Sequence, residues 1–362
     1  MFVYDLKNGK LLKNKKPDEV FSEISLYTPE IEKELNEKIE SSFAFILNNY
    51  IIPASCDDEI VLNRKQVNII RKFLLIEQMR VIGPDRDRMH DLFYQKLDSQ
   101  EYPFEEKVVE NETVRDRWLR NIKVILEAKD LDAVKDNPLC TYEVYRWSRI
   151  YNYGYMGIWD TSKDGTDFII TDIGMTSEMY GPEGEGEKAE YLKKELDKLS
   201  RSYGGRDKPA YMELLKQQMW FHENFYVFSI SKTRTIVVIN PFFRLYDKKE
   251  RFTRPYIWPT EISDRKLFEK NISPPLIFLL GKALHRDEDQ FVYKVHSMKH
   301  DDIIWVNILM LDRVDSFLGF TSLKNISESI EKYIEWYESR GLQPRNDYSL
   351  LKKVLQSAEH TR

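Results

Sequence analysis

Near residue 150 the hydrophobic pattern changes period, and that change limits the folds open to this chain more than any single motif does. Before it, apolar residues recur at helical spacing. Ile31, Leu35, Ile39, Phe43, Ile46, Leu47 and Tyr50 share one face of the stretch YTPEIEKELNEKIESSFAFILNNYII. Thr28 is a good N-cap, Pro29 suits the first helical position, and Glu30 and Glu32 complement the positive end of the dipole. Pro53 ends that helix. A second helix is expected through DDEIVLNRKQVNIIRKFLLIEQMRVI, stopping at Gly83-Pro84, with a further helical segment near residues 104–135 and a short one at KPDEVFSEI.

After residue 150 the signal becomes short apolar runs bounded by turn residues. YNYGYMGIWD and DFIITDI read as strands joined by the polar TSKDGT, NFYVFSIS and TRTIVVIN as a hairpin, and DQFVYKVHSM as one more strand. DDIIWVNILMLDRVDSF, NISESIEKYIEWYESR and DYSLLKKVLQSA read as closing helices. Strands and helices do not alternate regularly, which argues against a Rossmann or barrel fold. The expected class is α+β, with a small, antiparallel sheet packed among helices. Residues 1–150 form a largely helical region opened by the hairpin MFVYDLKNGKLL, and residues 151–362 a mixed region, as two parts or one continuous domain.

Composition narrows the function classes. The net charge of −5 leaves no broad basic field for gripping a phosphate backbone. Cys56 and Cys140 are the only cysteines, too few for a disulfide framework or a four-cysteine zinc site. The longest apolar run, PPLIFLLGKAL, is broken by Gly281 and Lys282 and is too short to cross a bilayer. A soluble, cytoplasmic protein is expected. The 21 Tyr and 7 Trp are spread along the chain, which suits a core and interface better than a base-stacking surface.

Several motif matches fail on context. Gly184-Glu185-Gly186-Glu187-Lys188-Ala189 fits a dinucleotide loop as a string, but no strand runs directly into it and its glutamates repel phosphate. Ser229-Ile230-Ser231-Lys232 fits S-x-x-K, but an extended segment points Ser229 and Lys232 to opposite sides. Arg86, Arg88 and His90 are offset by Asp85, Asp87 and Asp91 and read as a solvated helix end. Arg80 differs, because it closes an apolar helix face and could hold an anion. His296 and His300, followed by Asp301 and Asp302, are candidate metal ligands if the imidazoles converge; Asp301 reads equally as an N-cap. Asp172 ends an apolar strand beside Gly174, where a carboxylate serves as metal ligand, general base or turn initiator. A restriction-type nuclease would carry E-x-K on the next strand, and FYVFSISK has Ser in place of the acid. Asn307, amid IIWVNILML, calls for hydrogen-bond partners.

In order, MFVYDLKNGKLL, YTPEIEKELNEKIESSFAFIL, RKFLLIEQMR, DFIITDIGM and WVNILMLDRVDSF resemble the family catalogued as domain of unknown function 4238. The resemblance implies an opening strand, an acidic helix placing Glu40, a helix ending in Arg80, a strand ending in Asp172, and a late helix carrying Asn307. The family's Asp-Asn-Pro is here Asp172-Ile173-Gly174. Its usual His-x-x-Pro ahead of FVYD is not in this sequence, which makes Met1 either the natural start or an internal one.

Two functions are expected from these residues. One is a hydrolytic effector on a phosphorylated or nucleic-acid substrate, with Asp172 and Glu40 catalytic, Arg80 and Asn307 substrate-binding, and a divalent metal held by Asp172, His296 or His300. The other is a non-catalytic interaction or ligand-sensing protein, with a protein partner or a second copy of the chain, in which Glu40, Arg80, Asp172 and Asn307 form a structural network.

Overall fold

The computed structural model describes residues 1–15, 27–82, 112–178, 225–239, 290–339, 341 and 343–359. The short helix at KPDEVFSEI, the Gly83-Pro84 stop, the Arg86–Asp91 cluster, the Gly184–Ala189 string and PPLIFLLGKAL lie outside the described residues.

The chain opens as the expected hairpin, β1 (Phe2–Asp5) and β2 (Lys10–Leu12), with Gly9 at φ 60 in the turn. The first long helix, α1, spans 29–51. Thr28 caps it by accepting from the Ile31 N–H, and Pro29 takes the first position. It is not a uniform α-helix: Asn36–Glu40 and Leu47–Ile51 are π-helical turns. The apolar spacing accounts for the first. Ile31, Leu35, Ile39 and Phe43 are all buried and each four residues apart, and a four-residue step overshoots an α-helical turn by roughly 40°. The wider i→i+5 turn takes up that drift and keeps all four facing the core.

The second helix expected from the sequence begins later than expected. Glu59–Asn63 is a strand, β3, with alternating exposed and buried residues, and the helix α2 runs only from Arg64 to Ile82. The alternation in EIVLN is a period of two, which the strong helical signal behind it obscures. Helices α3 (Val114–Glu127, with a Thr113–Asp116 capping box) and α4 (Tyr142–Tyr153, capped by Thr141) follow, separated by a short 3-10 turn (Ala133–Asp136).

The strands of the second half are β4 (Tyr155–Asp160), β5 (Ile170–Thr171), β6 (Met175–Glu178), β7 (Phe225–Ser229), β8 (Arg234–Ile239), β9 (Gln290–Ser297) and β10 (Phe317–Phe320). With α5 (His300–Arg313), α6 (Leu323–Glu338) and α7 (Ser349–Glu359) the described residues hold seven helices. The class is α+β, as expected, but the strands make two sheets rather than one small one: a four-stranded sheet ordered β2-β1-β10-β5 and a six-stranded sheet ordered β3-β9-β4-β8-β7-β6. All pairings are antiparallel except β4 with β9. β4 and β5, neighbours in sequence, belong to different sheets.

The six-stranded sheet is covered on both faces, and strand alternation divides its residues between two cores. Ile158, Tyr226, Phe228, Ile236, Val238, Phe291, Tyr293 and Val295 pack with α1–α4. Trp159, Val227, Val237 and Ile239 pack with α5, α6, α7 and the four-stranded sheet. β8 is therefore buried along its whole length, and its last four residues, Ile236–Ile239, are an unbroken apolar run. The first core joins residues from Ile31 to Val295 and so draws on both halves of the chain. The middle of helix α5 is apolar nearly all round, as suits a helix packed against α6 and against strands β5 and β6 of the two sheets. No described helix is long and apolar enough to cross a membrane.

Candidate functional site

Arg80 lies in the last turn of α2, where a cation is favoured by the helix dipole. Its guanidinium ties two helices and a cap together. Nη2 donates to Glu40 of α1 at 2.6 Å, Nη1 donates to Glu77 one turn back, and Nε donates to the Tyr27 hydroxyl at 2.5 Å. Tyr27 stands immediately before the cap of α1 and stacks on Trp118 of α3 with ring centroids 5.2 Å apart. The Trp118 indole N–H donates to the Met79 carbonyl, so α1, α2 and α3 meet at this point. Glu40 closes the first π-helical turn of α1, and its side chain is the most exposed of the three charged groups at 36 %.

Two carboxylates around one guanidinium leave surplus negative charge. Burial pushes the Glu77 carboxyl up and Glu40 adds to the rise, while Arg80 pulls it down. Burial also pushes the Tyr27 hydroxyl up to about 12 against the pull of Arg80. Burial works against the Arg80 charge, but Glu77, Tyr27 and Glu40 outweigh it and its pKa is raised. The site is a joint of one cation and two carboxylates that reaches solvent through Glu40.

Asp172 has a different setting. It follows β5 in a turn where Gly174 takes φ 70 and donates to the Thr171 carbonyl at 3.0 Å. A Cβ-bearing residue is strained at that φ. The Asp172 carboxylate accepts from the backbone N–H groups of Ser316 at 2.7 Å and Asp315 at 3.3 Å, and its own N–H donates to the Phe317 carbonyl. It thereby holds the turn between α5 and β10. Asn307 is 0 % exposed in the middle of α5. Its Oδ1 accepts from the Ile169 N–H at 3.0 Å, and its Nδ2 donates to the Asp167 carbonyl at 3.1 Å and the Ser329 hydroxyl at 3.4 Å. One amide thus carries the strand approach at 167–169 and touches α6.

Of the residues singled out in the sequence, the fold joins Glu40 and Arg80 directly. Asp172 and Asn307 serve the second core, each against backbone. His296 lies on β9 opposite Trp159 of β4, and His300 is the first residue of α5. The His300 ring faces Glu328 on Nε2 at 2.7 Å, and Asp164 and Thr166 on Nδ1 at 3.3 and 3.0 Å. Among the described residues no group of three or more His, Cys, Asp and Glu side chains is arranged to hold a metal ion.

Sequence reasoning missed Glu77 and Tyr27. Glu77 carried a signal, three residues before Arg80 on the same helix face; Tyr27 carried none. It also missed the Asp160–Arg234 pair, 2.5 Å apart across β4 and β8 and nearly fully buried. Burial alone would raise the Asp160 carboxyl, but hydrogen bonds from Ser162 and Arg234 bring it below its ordinary value. Arg234 also donates to the Ala54 carbonyl, fastening the end of the sheet to the loop after α1.

No curated protein and no solved structure matches the chain. A family model described as Protein of unknown function (DUF4238) matches residues 1–313, a span that holds Glu40, Arg80, Asp172 and Asn307, and the chain belongs to that family.

Proposed function

We propose that this is a non-catalytic interaction or ligand-sensing protein, in which Glu40, Arg80, Asp172 and Asn307 fix how helices and sheets pack. One observation carries the reading: these polar groups are answered inside the fold. Arg80 is held by two carboxylates and a hydroxyl, Asp172 by two backbone N–H groups, and Asn307 by backbone on both sides of its amide. Buried polar networks satisfied in this way specify one packing arrangement. The test is a melting-temperature screen of the full chain against divalent metals, nucleotides and short oligonucleotides, run beside Arg80→Ala and Asp172→Ala. The reading expects both variants to melt lower than wild type and no metal-dependent turnover in any of the three. Near-neutral stability of both variants counts against it.

The hydrolytic reading keeps one observation in its favour. The Glu77 carboxyl is pushed up beside Arg80 and Tyr27, and perturbed carboxyls gather at catalytic sites. A divalent-metal-dependent hydrolysis that Asp172→Asn abolishes at unchanged melting temperature would establish that reading instead.

A further inference from the structure

His300 stands at the corner where the second core is closed. It begins α5, and its ring lies between the turn at 161–168, which leaves β4, and Glu328 on α6. That turn connects the two sheets. Asp167 within it bonds Thr321 next to β10 and faces Lys232 at 3.8 Å, and Lys163 pairs with Asp57 of the loop before β3. The contacts of the ring therefore bear on several elements at once.

A neutral imidazole has one N–H donor and one lone pair, whereas imidazolium donates from both nitrogens. Here a carboxylate faces each nitrogen: Glu328 at Nε2, 2.7 Å away, and Asp164 at Nδ1, 3.3 Å away. Only the charged ring can donate to both. Loss of a proton leaves the shorter Glu328 bond with the remaining N–H. The Nδ1 lone pair then faces Asp164, which is repulsive, and the Thr166 hydroxyl, 3.0 Å away, can turn from acceptor to donor and take that nitrogen.

We propose that His300 is a pH-dependent latch, which holds the 161–165 end of the turn through Asp164 while the ring is charged and releases Asp164 when it is neutral, Thr166 keeping its contact with the ring in both states. The charged groups around the ring are Asp164 from the turn and Glu328 from α6. Lys299 and Asp301 flank it in sequence, and Lys324, Glu331 and Lys332 lie within a helical turn of Glu328. The helix N-terminus opposes the ring's charge, and the two carboxylates act against that. In agreement, Glu328 and Asp164 raise the His300 pKa above its ordinary 6.5 despite burial. Burial tends to raise Asp164, but Thr166 and His300 bring it below its ordinary value. For a raised histidine the sign follows: the latch is fully set below 6.5 and is lost as pH rises through the folded-state value.

The test uses the full chain in two measurements. Nitrogen-detected titration of the ring, assigned by its loss in His300→Gln, gives the protonation midpoint. Amide exchange across 161–165, corrected for intrinsic chemistry, is compared at about pH 5 and about pH 8. The expected results are a midpoint above 6.5 that Asp164→Asn moves back toward it, and turn protection several-fold lower at the higher pH. Asp164→Asn should abolish that pH difference and, because it keeps the ring, serves alone if His300→Gln fails to fold. A midpoint at or below 6.5, or equal protection at both pH values, overturns the proposal.

Discussion

The joint around Arg80 and the anchors at Asp172 and Asn307 use the same kinds of side chain in opposite ways. At Arg80, side chain answers side chain: a cation and two carboxylates at the meeting of three helices, partly open to water. At Asp172 and Asn307, side chain answers backbone, so one carboxylate and one amide do the work of missing sheet hydrogen bonds. The difference tracks what each region needs. Helices satisfy their own backbone and need only side-chain contacts to fix their mutual angle. The short β5 and the turns around it leave N–H and C=O groups unpaired, and buried backbone must find partners. The first kind of site depends on its ionic partners, and the second on buried backbone that has no other partner within reach.

Asn307 is the sharpest test of that contrast. Asn307→Leu keeps the branching but strands the buried Ile169 N–H and removes the donor to the half-buried Asp167 carbonyl. Leaving these groups unsatisfied should cost about 3 kcal/mol or more, read as a drop in the denaturant midpoint at constant slope. A loss under about 1 kcal/mol means that the strand approach re-pairs elsewhere and the distinction fails.

Arg80→Ala comes next. Glu77 and Glu40 are then left facing each other without their cation. Their partial exposure places the cost between the limits for buried and exposed ion pairs, about 2 kcal/mol. A double-mutant cycle with Glu40→Gln should return a coupling of about 1 kcal/mol or less. A coupling larger than the loss at Asn307 would reverse the order argued here.

Asp172→Asn should cost about 1 kcal/mol, since the amide keeps one acceptor oxygen for two N–H donors. It should also leave the protein folded. Equal losses for Asp172→Asn and Asp172→Ala would show that the charge, rather than the acceptor geometry, holds the turn.

How much of this was readable beforehand follows the same division. The cap at Thr28, the apolar face of α1 and the β7–β8 hairpin are local, and the spacing of Ile31, Leu35, Ile39 and Phe43 announced its helix. The first π-helical turn was implicit in that strict four-residue spacing. β3 was hidden because its alternation is shorter than the helical pattern that follows. Glu40 and Arg80 were expected in one network with Asp172 and Asn307, yet nothing local says which residues pair across forty positions. The backbone partners of Asp172 and Asn307 lie more than 130 positions away in sequence, and backbone atoms carry no residue code. The family match ends at residue 313, yet Ser316 bonds Asp172 and β10 lies between β1 and β5. A side chain's chemistry is legible in sequence; the backbone it answers is not.

Lys72 offers the finest test, because it combines both modes on the helix that carries Arg80. It is 7 % exposed, and its ammonium donates to the Ala128 carbonyl at the C-cap of α3. This is a cation answered by backbone. Asp130 assists, but burial dominates and pushes the Lys72 pKa down from 10.5 to about 8. Arg80, with two carboxylates, moves the other way. The sign of the pH effect follows. Between about 8 and 10.5 the unfolded chain holds a proton that the folded chain has lost, so the Lys72 contribution makes stability rise with pH across that window. Lys72→Met removes the titration, and the difference in stability between wild type and variant should grow in favour of wild type as pH rises from about 8. A flat difference would mean that a single helix-end carbonyl holds a buried ammonium as well as two carboxylates hold a guanidinium. The contrast between the two kinds of site would then lie in geometry alone.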